Sequence, residues 1–159
     1  MIDLPLYDTN HLSIAPDESE LAVLRSQDRA IEIYSLPEVR LVATIPVTVE
    51  MISPWEDQVV HLGGAVVHLE MVADNPRRWE LVRHRREDLR REVLHEFVDE
   101  HQVLLAPTSG GFLVSTQYTF LFGTADGPMR EQFLDGREVV LLDTHPASDR
   151  IAVVVFEPE

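Results

Sequence analysis

A proline, four mostly polar residues and then a largely apolar tetrad occur four times in this chain, and a recurring unit of that kind constrains the fold more than any single motif. Pro16 leads into Leu21–Leu24, Pro54 into Val59–Leu62, Pro107 into Phe112–Ser115 and Pro146 into Ile151–Val154. The prolines stand 38, 53 and 39 residues apart, and two of these intervals match the period of about 40 residues typical of radial β-arrays. The long interval exceeds the others by about 15 residues, roughly one ordinary helix. A proline that opens a polar tetrad suits a turn, because its φ is fixed and it has no N–H to give a sheet. Each unit therefore reads as strand, proline-led turn, strand.

The chain has 159 residues, 45% of them hydrophobic, enough to bury a substantial core in one domain. It has no cysteine, which excludes a disulfide framework and any thiolate ligand or nucleophile. Its first residues, Met1 to Asp8, lack a basic stretch followed by an apolar one. No apolar run approaches the ~20 residues of a membrane helix, so a cytoplasmic protein without a membrane anchor is expected. The net charge of −15 repels nucleic acid and anionic membranes and attracts a basic partner.

The first unit is the most legible. His11–Ile14, Glu20–Arg25, Ala30–Tyr34 and Val39–Ile45 read as four strands joined by turns at Pro16, Ser26–Arg29 and Ser35–Glu38. The run Asn10-His11, Ile14-Ala15-Pro16-Asp17, Leu21-Ala22-Val23, Ser26, Asp28 and Ile31-Glu32-Ile33-Tyr34 resembles a WD40 or YVTN-type β-propeller repeat. The resemblance covers residues 10–46. It implies an all-β propeller built from four-stranded antiparallel blades, with His11 and Asp28 as residues that tie the blade together. Repeats are expected at about 10–46, 47–84, 101–136 and 137–159, about 3.5 blades in all, with an insertion at 85–100.

In the second unit, Gly63-Gly64 should form a two-residue hairpin loop. If Leu62 faces Ala65, paired positions sum to 127, and one face carries Val60, Leu62, Ala65, Val67, Leu69 and Met71. The other carries Asp57, Val59, His61, Val66, His68 and Glu70. Two imidazoles and two carboxylates are zinc-type ligands, which makes a metal- or small-ligand-binding domain the alternative reading. However, His61 and His68 would be diagonal neighbours about 7–8 Å apart, and Asp57 would face Glu70. A half-exposed polar face without a cofactor is the expected outcome, although inner blades of a propeller are covered on both sides.

The segment Arg78–Arg83 is read as the fourth strand of this unit. Beyond it Leu89, Val93, Leu94, Phe97 and Val98 recur at helical spacing behind an N-capping Asp88, which predicts a short inserted helix over about 88–99. All 13 basic side chains are arginine, and Arg77, Arg78, Arg83, Arg85, Arg86, Arg90 and Arg91 fall within fifteen residues. With Glu80, Glu87 and Asp88 that window carries +4 and the remainder −19. It is the candidate partner-binding region.

Strands at Gln102–Ala106, Gly111–Thr116, Tyr118–Phe122, Met129–Leu134, Glu138–Leu142 and Arg150–Phe156 complete the count. Tyr118, Phe120 and Phe122 alternate onto one face, expected to pack between blades. No catalytic motif is present: His95-Glu96 and His101 are spaced six apart where a zinc protease helix needs four. The expectation is a non-catalytic protein–protein interaction module. Its partner would be basic, for instance a toxin, and an open last unit would be covered by a homodimer or a second chain completing the propeller.

Overall fold

The computed structural model describes residues 9–25, 28–47, 58–98, 103–117, 119–133, 138–144 and 151–156. Among them every regular element is a strand. β1 (Thr9–Ile14), β2 (Glu20–Arg25), β3 (Ala30–Ser35) and β4 (Arg40–Pro46) form one antiparallel sheet in chain order. β5 (Val59–His61), β6 (Ala65–Asp74), β7 (Arg77–Arg85) and β8 (Arg91–Val98) form the second. β9 (Leu104–Thr108), β10 (Gly111–Ser115), β11 (Thr119–Gly123) and β12 (Arg130–Phe133) form the third, and β13 (Glu138–Thr144) pairs with β14 (Ile151–Phe156). The first strands of the sheets, β1, β5, β9 and β13, neighbour one another in series. No comparable packing joins β13 to β1 among the described residues. The sheets thus radiate from a shared inner edge as an open arc of three and a half blades.

Local chemistry accounts for the hairpins. In the β1–β2 turn Asp17 Oδ1 accepts from the Ser19 amide (3.1 Å) and hydroxyl (2.7 Å), which closes the turn that Pro16 opens. Between β5 and β6, Gly63 sits at φ +75° and the Leu62 amide donates to the Ala65 carbonyl, the geometry that glycine permits without strain. The register is the expected one, Val59 opposite His68, Val60 opposite Val67 and His61 opposite Val66.

Both faces of the second blade are buried. Val60, Val67, Leu69, Met71, Trp79, Leu81 and Phe97 pack against Val103, Leu105, Phe112, Val114 and Leu121 of the third. On the other side Val59 and Val66 meet Ala22, Leu24, Ile31, Ile33 and Ile45 of the first. At ~25 cal/mol per Å² of apolar surface, these two seams are the main stabilising contacts of the arc. On β11, Phe120 is buried and Phe122 half-buried on the face opposite Leu121, their rings 6.3 Å apart; Tyr118 lies outside the described residues.

The helix expected over 88–99 is not formed: residues 91–98 are strand β8, paired along β7. A bulge between the pairs Leu81–His95 and Val82–Val93 adds Leu94 to the strand. Leu94 and Phe97, three residues apart, consequently both join the seam with the third blade, and that spacing imitates a helix. It follows that Arg77–Arg85 is the third strand of its sheet, with β8 as the fourth. Pro54 and Pro146 lie outside the described residues, but Val59–His61 after Pro54 is a first strand, whereas Leu21–Leu24 after Pro16 belongs to a second. Pro107 itself sits in β9 opposite Phe112. The apolar tetrads that follow the four prolines therefore do not all fall on one strand position.

A glycine pair holds the third blade together. A Cβ on Gly111 would lie 2.0 Å from the Gly123 carbonyl oxygen, and the Phe112 ring occupies the space beside Gly123. Replacing Gly111 with alanine forces backbone apart, and chemical denaturation should show a loss of about 1–3 kcal/mol; an unchanged midpoint would show that the strands do not approach this closely.

Candidate functional site

The polar residues of the second blade divide between its two ends and the face it turns to the first blade. Direct pairing places His61, Val66, His84 and Arg91 in one row across the sheet, Val59, His68, Val82 and Val93 in the next, and Glu70, Glu80 and Glu96 beyond. The expected half-exposed polar face is instead closed in: His61, His68, Glu70 and His84 are all buried, because the first blade packs on it. Asp57 lies outside the described residues.

Burial dictates the charge states here. His68 is pushed down to about 3, by loss of solvent first and then by His84 and Arg91. His84 is lowered by burial, partly offset by its Nδ1 contact of 3.1 Å with the Leu89 carbonyl. The two neutral rings stack at 5.3 Å. Both ring nitrogens of His68 lack a hydrogen-bond partner, and its Nε2 stands 3.5 Å from Glu70. Arg91 reaches across to Glu70 at 2.9 Å and Glu80 at 2.5 Å, so two directly opposed carboxylates share one cation.

His61 is held by its neighbours. Its Nδ1 accepts the Gly63 amide at 3.0 Å, which puts the proton on Nε2, and Nε2 donates to Glu20 of the first blade at 2.9 Å. No three potential metal ligands converge among the described residues.

The seven clustered arginines do not form one patch. They lie on a hairpin whose strand β7 is about 26 Å long at ~3.3 Å per residue, so Arg77 and Arg78 sit at one end and Arg85, Arg86, Arg90 and Arg91 at the other. Arg86 makes two bonds to Glu20, at 2.9 and 2.7 Å. Arg83 is buried, bonded twice to Glu92 (3.2 and 2.9 Å) and once to the Ala125 carbonyl of the third blade at 2.8 Å. Arg77 stands 3.8 Å from Asp74. Arg78, Arg85 and Arg90 are exposed. Arg85, Arg90 and Arg91 line a cleft of about 470 Å³ with Glu87, Asp88 and Glu92.

Glu20, Ser13 and Gln58, which help to organise this region, carried no local signal. Glu20 is 41 residues from His61 and 66 from Arg86. His11 and Ser13 accept the Val59 and His61 amides at 3.3 and 2.8 Å, and Gln58 Oε1 accepts the Leu105 amide. His11 therefore has a structural role, as its family resemblance implied, but between blades, and Asp28 is exposed.

No family model and no curated protein sequence matches the chain. Solved structures do. PorZ, an essential bacterial surface component of the type-IX secretion system of Porphyromonas gingivalis, is similar over 91% of this chain and 18% of its own, with 10% identity and a TM-score of 0.56. The Cps50 (Swd1) β-propeller domain of Myceliophteria thermophila is similar over 94% of this chain and 50% of its own, with 13% identity and a TM-score of 0.53. The chain spans half or less of either protein. Together with the radial sheets, these likenesses define the fold as that of a β-propeller. Among the described residues no helix is long and apolar enough to cross a membrane.

Two outcomes follow from the seam between the first two blades. Replacing Glu20 with alanine strips Arg86 and the buried His61 of their partner and should cost about 1.5–3 kcal/mol, as for hydrogen bonds to charged groups; denaturant titration reads this. His11, His61, His68 and His84 are all lowered in the fold, chiefly by burial. The unfolded chain then binds more protons below its histidine pKa of 6.5, so stability is full above that pH and falls as the pH drops toward about 3. Melting temperature should decline between pH 7 and 5, and His68→Leu should flatten the decline; a flat profile in the parent would contradict the neutral buried imidazoles.

Proposed function

We propose that this chain is a non-catalytic protein-interaction module of the WD40-like kind, in which an open propeller arc holds other proteins through its rim. The observation that carries the reading is the division of labour among the arginines. Arg83, Arg86 and Arg91 are bound within and between blades, while Arg78, Arg85 and Arg90 project to solvent. Among the described residues these three guanidinium groups have no hydrogen-bonded partner, which leaves their planar forks available to a partner's carboxylates.

The rest of the surface is acidic, with a net charge of −15 for the chain. Its long-range field favours a basic partner, of which a basic toxin is one concrete form, and the exposed arginines then fix orientation at close range. Completion of the arc by a second copy or another chain belongs to the same reading, because a propeller works as a closed ring.

The triple charge reversal Arg78→Glu, Arg85→Glu, Arg90→Glu should shift the melting temperature by no more than about 3–6 °C, since exposed substitutions rarely exceed ±0.5 kcal/mol each and 1 kcal/mol is about 2–4 °C in a chain of this size. It should abolish recovery of the partner captured by the parent from cells that produce it. Undiminished recovery removes the hairpin as the contact region, and absence of any specific partner for the parent removes the module itself.

A further inference from the structure

The β1–β2, β5–β6 and β9–β10 turns converge at one end of the arc and leave a pocket of about 280 Å³ between them. Ile14 and Pro16 line it from the first blade, Leu62 from the second, and Pro107, Gly111 and Ala125 from the third. Among the described residues no arginine lines it. Ile14, one wall of the pocket, is 57% exposed, more than any other large apolar side chain among those described.

The walls are fixed in place without a ligand. Pro16 and Pro107 have locked φ angles, and Asp17 closes the first turn on Ser19. Ser13 Oγ accepts the His61 amide and ties the second turn to the first blade. Arg83 of the second blade donates to the Ala125 carbonyl and holds that loop of the third blade across the gap. A pocket built in this way is preorganised, so little ordering opposes binding.

Size and lining restrict what can enter. Small-molecule and cofactor sites span about 300–1,000 Å³ and carry several convergent polar groups, whereas an apolar cavity of about 150 Å³ already holds a benzene ring. The pocket therefore suits one bulky apolar side chain. Its only ionisable lining group among the described residues is His61, and both ring nitrogens of His61 are engaged, with Gly63 and Glu20.

Around the mouth the exposed charge is of one sign. Asp17 and Glu18 follow Pro16 directly, Asp126 follows Ala125, and all three are exposed. The bonds from the Ser19 hydroxyl and amide hold Asp17 below the usual carboxylate range. Glu20 and Arg86, next to His61, neutralise each other. An apolar pocket edged by carboxylates is complementary to an apolar side chain with basic neighbours.

We infer that this three-blade pocket seats a bulky apolar side chain from a basic segment of the partner, whose flanking lysine or arginine side chains meet Asp17, Glu18 and Asp126. This rests on the reading of the chain as an interaction module for a basic partner, and it adds an anchor point separate from the exposed arginines.

The probe is the pentapeptide Lys-Arg-Trp-Arg-Lys, blocked at both ends and titrated into the methyl-labelled chain. The methyl resonances of Ile14, Leu62 and Ala125 should shift together, and alanine in place of the peptide's tryptophan should weaken binding about 30-fold, as loss of a buried aromatic anchor does. Glu18→Lys with Asp126→Lys should weaken it about tenfold at low salt and little at high salt. Ile14→Lys, at an exposed position, should abolish binding with unchanged circular dichroism, and Ala125→Leu, which narrows the pocket without adding charge, should weaken it as well. A parent whose methyls stay unmoved overturns the inference, as does binding indifferent to both pocket variants or equal binding of Glu-Asp-Trp-Asp-Glu. Partner recovery from cells is scored separately. Recovery lost on the triple charge reversal but kept by Ile14→Lys retains the module and overturns the pocket, whereas a chain that binds the pentapeptide and captures no partner retains the pocket and removes the module.

Discussion

The inner strand of each blade is also the edge of its sheet, and satisfying the backbone of that edge is the constraint on which the arrangement depends. Alternate amides of β5 point away from β6 toward the axis, where an unpaired N–H would cost as much as a lost hydrogen bond. His11 and Ser13 of the preceding blade take the amides of Val59 and His61, and Gln58 takes that of Leu105. These bonds tie neighbouring inner strands at a fixed separation without merging them into one sheet. The apolar seams can then form further out, where Leu24, Ile31 and Val66 or Trp79, Phe112 and Leu121 fill the space between diverging sheets.

Charge is used in the same way, as a fastener across elements distant in sequence. Glu20 binds His61 and Arg86, Arg83 joins Glu92 to the third blade, and Arg91 spans Glu70 and Glu80. Each task calls for a planar fork that meets two acceptors at once, which arginine supplies and lysine does not. The exclusive use of arginine in this chain agrees with that role. Much of the apparent positive charge of the window 77–91 is thereby consumed, and Arg78, Arg85 and Arg90, divided between the two ends of β7, are exposed without taking part in these ion pairs.

Strand positions in the first, third and last blades were legible because alternation and turn chemistry are local properties. Glu20–Arg25 and Ala30–Tyr34 could be read off nearly to the residue, and Gly63-Gly64 defined a hairpin and its register. The second blade was misread where two local rules disagreed. One bulged residue at Leu94 converts a strand's period of two into a spacing of three, which is also the spacing of a helix face. The proline at position 54 stood at an interval that suited a repeat, yet Val59–His61 beyond it is an inner strand. The polar face of the hairpin was read correctly in composition and wrongly in exposure, because nothing in His61, His68 or Glu70 announces that another sheet lies over them.

What the order of residues determined by itself is an all-β chain of short antiparallel meanders, with turns where proline, glycine and aspartate require them and a net charge of −15. These depend on neighbours a few positions apart, and the backbone responds to such neighbours directly. Only the tertiary structure decided which blade face is interior, which histidines are neutral and which arginines are spent on Glu20, Glu92 and Glu70. Those outcomes hang on contacts between residues up to 66 positions apart, which form when whole sheets stack and leave no trace in the local pattern of either partner.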